Sequence, residues 1–136
     1  MGDRRPFHQV HEVFAAAPEA IPRARQFIGD WLRRWGLDDL VEPLRLAVGE
    51  LVTNAIRHGR GKVDVMITLL LGSRVRIEVH DRGAGRPAIR AVQLTGPTIG
   101  GWGLRLVDQL VDSWGTHNTG GQTVVWIEMA LPPTTP

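Results

Sequence analysis

The sequence predicts a two-layer α+β sandwich, a mainly antiparallel sheet with three helices on one face. Three observations carry this. Residues Lys62 to Leu71 and Arg74 to His80 alternate apolar and polar side chains, the period of half-buried strands. Three other stretches repeat apolar residues at helical spacing. The order is strand, helix, helix, hairpin, loop, helix, hairpin, which layers helices on a sheet instead of interleaving them with parallel strands.

Each element has a local reason. Phe7 to Phe14 alternates weakly and reads as an edge strand, broken by Ala15-Ala16-Ala17-Pro18. Ile21, Ala24, Phe27, Ile28, Trp31, Leu32 and Trp35 recur with helical period, with Arg23, Arg25, Asp30, Arg33 and Arg34 mostly outward. Pro18 or Pro22 fits a first helical turn, where a missing N–H costs nothing, and Gly36 is a natural stop. Asp38 and Asp39 are candidate N-caps for a second helix, with Glu42 completing a capping box, and Pro43 places its regular start near position 41 or 42. That helix ends at Gly59-Arg60-Gly61. Val63, Val65, Ile67, Leu69 and Leu71 share one strand face. Gly72-Ser73 is a two-residue hairpin signal, and Val75, Ile77 and Val79 face inward on the next strand. Residues 86–100 have no clear period. Gly101-Trp102-Gly103-Leu104 then opens a third helix, with Leu104, Val107, Leu110 and Val111 inward. Trp114 to His117 is a short strand, Asn118 to Gly121 a turn, and Gln122 to Leu131 the last strand.

Composition narrows the function classes. At 136 residues with 43% hydrophobic and 22% charged residues, the chain is one globular domain. It has no cysteine, which excludes disulfides and thiolate metal sites. No apolar run reaches the ~18–20 residues needed to span a membrane. The N-terminus lacks a signal-peptide apolar stretch, so the expected location is cytoplasmic. The formal net charge is only +2 although the pI is about 10.3. Lys62 is the only lysine, and arginine keeps its charge far above pH 10. The pI therefore does not describe a strongly basic surface, and no basic run with interleaved aromatics suggests nucleic acid.

The second helix carries the chemistry. Glu50, Asn54 and His58 fall at i, i+4 and i+8 and stack on one face, while Leu44, Val48, Leu51, Val52 and Ala55 form the opposite apolar stripe. A carboxylate–amide–imidazole face is a candidate site. Gly101 and Gly103 stand ahead of a helix, whose free N–H groups and dipole suit a phosphate. No Gly-Lys-Ser/Thr follows, so this is not a Walker-type loop.

Three islands line up: Glu50-x-x-x-Asn54-x-x-x-His58 on a helix, Asp81-x-Gly83-x-Gly85 leaving a strand, and Gly101-x-Gly103-Leu104 entering a helix. Gly120-Gly121-Gln122-Thr123 opens the last strand. Together, in this order, they resemble the GHKL superfamily of ATPases and kinases, which share the Bergerat nucleotide-binding fold. The resemblance spans nearly the whole chain: an N box at 50–58, an adenine-binding Gly box at 81–85, a short ATP lid at 86–100, a second Gly box at 101–104 and a C-terminal hairpin at 114–131. It implies ATP and Mg²⁺ as cofactors. Asn54 would ligate Mg²⁺ through its side-chain oxygen, one protein ligand beside phosphate oxygens and water. Glu50 would accept or orient the proton of the attacking hydroxyl. His58 would lie near the phosphates or the lid. Asp81 would accept from the adenine amino group, with Gly83 and Gly85 allowing close backbone approach and Thr123 a hydroxyl near the base. Gly101, Gly103 and Leu104 would line the phosphates, with Trp102 packing in the lid. Arg57, Arg86 and Arg105 are the candidate charge partners for the phosphates.

Within the superfamily, the short lid and the compact domain, with Ala24-Arg25 in its first helix, are most similar to stand-alone anti-sigma-factor serine/threonine kinases of the RsbW/SpoIIAB type, in a high-Arg, actinobacterial-looking version. His8 and His11 fall in a strand, not on a dimerisation helix. The resemblance implies a homodimer that holds a sigma factor and phosphorylates a STAS-class antagonist, with Arg25 in partner contact. The competing class is an ATP-binding module that switches partners without phosphotransfer; a detached sensor histidine kinase domain is a third option, disfavoured by the short lid.

Overall fold

The computed structural model describes residues 6–58, 61–71, 73–81 and 99–132. Strand β1 (Pro6–Ala15) leads into helix α1 (Ala20–Arg34), a 3-10 turn (Asp38–Leu40) and helix α2 (Val41–His58). The hairpin β2 (Lys62–Leu70) and β3 (Arg74–Asp81) follows, then α3 (Ile99–Leu110) and the hairpin β4 (Ser113–Thr119) and β5 (Gln122–Ala130). The five strands pair antiparallel in the order β1-β2-β3-β5-β4. β1 is thus an edge strand, as its weak alternation predicts.

All three helices pack on one face. α2 lies in the middle, against α1 on one side and α3 on the other, above β3 and β2. Its buried side is Leu44, Ala47, Val48, Leu51 and Val52, and it meets Ile28 and Leu32 of α1, Val107 of α3 and the inward rows Val63-Val65-Ile67, Val75-Ile77-Val79 and Val125-Ile127 of the sheet. Each such side chain contributes about 1.5–3 kcal/mol on burial, so this stripe anchors α2 firmly.

The termini of α1 follow the sequence signals. Pro22 sits in its first turn. At the other end Gly36 takes φ +73°, its N–H donates to the Arg33 carbonyl at 3.0 Å and that of Leu37 to the Leu32 carbonyl at 2.8 Å. This paired closure requires a left-handed residue, hence glycine. The β4–β5 turn uses Gly120 and Gly121 at φ +57° and +81°, the primed geometry that matches strand twist.

Five sequence expectations are corrected. Asp38 and Asp39 are not N-caps: they form a 3-10 turn whose own N-cap is Leu37, with no side-chain cap bond. The connection from β2 to β3 is residues 71–73, since Leu70 pairs with Arg74. Leu69 and Leu71 are only half-buried, while Thr68 and Leu70, on the opposite face, are buried. Gln9 donates to the Thr68 hydroxyl at 2.9 Å, so a neighbouring polar chain covers Thr68. β4 runs on to Thr119, which leaves only Gly120-Gly121 as the turn. Finally α3 starts at Ile99, two residues before Gly101, so Gly101 and Gly103 lie within its opening turns and not ahead of it.

The helix-free face of the sheet carries a ladder of charge. Arg76 donates from Nη1 to Glu128 at 2.7 Å and from Nε to Glu78 at 2.9 Å, and stacks 4.5 Å above the Trp126 ring. His80 Nε2 meets Glu78 at 2.8 Å. The bond to His80, with Arg76 beside it, holds the Glu78 carboxyl down at about 2, and the same bond raises His80 above its ordinary value.

Candidate functional site

Helix α2 presents the first island. Glu50 and Asn54 stand one turn apart, about 6 Å along the axis. Glu50 is half-buried, whereas Asn54 is only 6% exposed. Its Nδ2 is buried and has no hydrogen-bond partner. A buried donor left unpaired costs about 1–3 kcal/mol, so this amide marks a position the fold alone does not satisfy among the described residues. Glu50 makes no hydrogen bond or ion pair among the described residues, which leaves its carboxylate available. His58 is the last residue of α2.

Sheet register supplies the second cluster. Asp81 ends β3 and pairs directly with Thr123 of β5 on one side and Val63 of β2 on the other. Two residues far apart in sequence, both expected near a base, are therefore cross-strand neighbours. Asp81 is half-buried and already engaged in an interaction. The β4–β5 hairpin explains why Thr123 lands there: the two-glycine turn fixes Thr119 opposite Gln122, and β5 then runs in register with β3.

The third cluster is the start of α3, with Gly101, Gly103 and Leu104 in its opening turns. Gly83, Gly85, Arg86 and the lid up to residue 98 lie outside the described residues. Of the candidate cations, Arg57 and Arg105 are exposed, and Arg105 is engaged in an interaction.

Among the described residues no group of three or more His, Asp or Glu could cage a metal ion. This donor set suits Mg²⁺ held by one amide oxygen and substrate phosphates, and does not suit a transition-metal cage. Asn54 would offer its side-chain oxygen to that role; its buried Nδ2 is a donor and takes no part in coordination.

One residue departs from its expected surroundings. Arg25 is not a solvated helix arginine. It is half-buried, with its guanidinium against the backbone of Gly49, next to Glu50. The only sequence signal was the glycine itself, in mid-helix, where it costs about 1 kcal/mol relative to alanine.

Comparisons with known proteins bear on the family and the fold. A family model described as a histidine kinase-like ATPase domain matches residues 14–129. The serine-protein kinase RsbW of Listeria monocytogenes is 29% identical over 125 residues, covering 81% of this chain and 80% of its own length. The protein of the same name from Oceanobacillus iheyensis is 27% identical over 126 residues, covering 81% and 79%. The crystal structure of the RsbU and RsbW domains of a Mycobacterium tuberculosis protein superposes with a TM-score of 0.69 at 23% identity, over 94% of this chain and 34% of that one. At that identity the likeness speaks to fold, and this chain spans about a third of that two-domain protein. None of the helices among the described residues is long and apolar enough to cross a membrane. The family match spans β1 to β5, and the chain belongs to the histidine kinase-like ATPase domain family.

Proposed function

We propose that this chain is an ATP-dependent protein serine/threonine kinase of the anti-sigma-factor type, which phosphorylates a STAS-class antagonist and controls a sigma factor by exchanging partners. The observation that carries the reading is α2. It holds a half-buried free carboxylate one turn from a buried, unpaired amide, in a chain whose similar proteins are named serine-protein kinase RsbW.

In this reading Asp81 accepts from the exocyclic amine of adenine and Thr123 flanks the base. The start of α3, with Gly101, Gly103 and Leu104, turns its free N–H groups toward the phosphates. Asn54 would hold Mg²⁺, which when bound neutralises phosphate charge. Glu50 takes the proton of the attacking serine hydroxyl as its oxygen bonds to the γ-phosphorus and the bond to the ADP oxygen breaks. His58 lies toward the phosphates. By the family resemblance Gly83, Gly85 and the lid would complete the pocket, and Arg86, Arg57 or Arg105 would supply positive charge. Arg25 belongs to the partner-facing side of α1, and the working unit is a homodimer.

The test is transfer of label from γ-labelled ATP to a purified STAS-domain antagonist encoded near this chain, with phosphoserine or phosphothreonine located by mass spectrometry. Glu50→Gln should lower the transfer rate about 10²–10⁴-fold while ATP still binds. ATP binding without transfer to any antagonist tested would favour the partner-switching module. Light scattering reads the dimer.

A further inference from the structure

The α1–α2 crossing is built on two buried glycines, Gly29 and Gly49. A Cβ placed on Gly49 would lie 2.5 Å from Nε and Nη2 of Arg25 and 2.8 Å from its Cζ. The guanidinium therefore occupies the notch that the missing side chain leaves. A Cβ on Gly29 would lie 3.4 Å from Cδ of Arg45, so the stem of Arg45 crosses the facing helix at the other notch. Both arginines are half-buried, and the Nε of each is buried with no hydrogen-bond partner.

Together with Glu42 and Leu46 they line a cleft of about 210 Å³. Among the described residues no carboxylate pairs with either arginine, Glu42 included. The nearby Arg33 pairs with Asp30 at 3.8 Å. Arginine keeps its charge when partly buried, so two permanent charges line one small cleft, with an unpaired Nε of each beneath its surface. Such an arrangement is completed by an anion that accepts from both. The guanidinium fork matches the oxygen spacing of a carboxylate or a phosphate. On α2, Arg45 and Gly49 lie about 140° round the axis from Glu50 and Asn54, so this is not the nucleotide face.

We propose that the α1–α2 cleft is an oxyanion site, in which the guanidinium groups of Arg25 and Arg45 donate to a carboxylate or phosphate group. The inference is independent of the nucleotide reading. It is tested on the full ¹⁵N-labelled chain by following the Nε–H resonances of Arg25 and Arg45, assigned with Arg25→Lys and Arg45→Lys. Sodium phosphate, sodium acetate and sodium chloride are titrated at matched ionic strength into nucleotide-free protein. The expected result is saturable movement of both resonances with phosphate or acetate and none with chloride. Arg45→Lys, which keeps the charge and loses the Nε donor, should weaken the response of Arg25 at least about tenfold. A response to phosphate alone assigns a phosphate-class ligand, and a response to acetate alone a carboxylate. If neither oxyanion moves the signals beyond chloride, the proposal fails. It also fails if both signals already stand at hydrogen-bonded positions in oxyanion-free buffer and Glu42→Gln shifts them, because Glu42 is then the internal partner.

Discussion

Replacing Asn54 should make the empty protein more stable and useless for nucleotide. Asn54 is 6% exposed and its Nδ2 is a buried donor without a partner. Leucine keeps the branching at Cγ, removes that donor and is a better helix former by a few tenths of a kcal/mol. The unpaired donor costs about 1–3 kcal/mol; after allowance for the larger methyl groups, Asn54→Leu should gain about 1–2 kcal/mol. For a domain of this size that is roughly 4–8 °C in Tm. Asn54→Ala, which adds no bulk, should fall within about 0.5 kcal/mol of the parent or above it. The assay is urea denaturation with and without Mg²⁺ and ATP. ATP should raise the midpoint of the parent and leave both variants unmoved. Destabilisation by about 2 kcal/mol or more in both variants would refute the reasoning, because the amide would then be holding the fold. So would an undiminished ATP response.

Other outcomes follow from the same structure. Glu78 falls from 4.5 to about 2 on folding, so its contribution is present above pH 4.5 and lost toward pH 2. His80 is raised above 6.5, so its contribution is present below pH 6.5 and lost as pH rises through the raised value. Urea midpoints should therefore peak between about pH 4.5 and 6.5 and fall on both sides, and Glu78→Gln should flatten both slopes; an unchanged profile would contradict the ladder. Gly36→Ala forces alanine into φ +73° and should cost about 1 kcal/mol, roughly 4 °C in a calorimetric scan. Asp81→Asn should reduce the preference for ATP over GTP in competition binding at least about tenfold, with the fold intact by circular dichroism.

Much of this site was legible because helix and strand periods are simple. The spacing of Glu50 and Asn54 places both on one face of α2, and the apolar stripe through Leu44, Val48 and Leu51 says which side is buried. Asp81 and Thr123 are named by the family resemblance and not by their local patterns, and their direct pairing depends on the non-sequential order β3-β5, which no local signal encodes. The start of α3 was misplaced because Gly101-x-Gly103 looks like a breaker, and tertiary packing of Val107 against the core outweighs that propensity. The burial of Arg25 was illegible for a similar reason. Its side chain follows the notch at Gly49 on another helix; a wheel of α1 places it about 20° from Leu32, at the border of the apolar stripe, where its charge made it read as outward. Thr68 broke the alternation because Gln9 of the neighbouring strand covers it on the far face, outside the apolar core.

The proposed nucleotide site joins α2, the β3–β5 pair and the start of α3. The most direct test is calorimetric titration of the unmodified chain with ATP, in the presence and absence of Mg²⁺. Saturable binding with a stoichiometry near one per chain, strengthened by Mg²⁺, is the expected result. Absence of saturable binding under both conditions would contradict the site and withdraw the roles given to Glu50, Asn54 and Asp81.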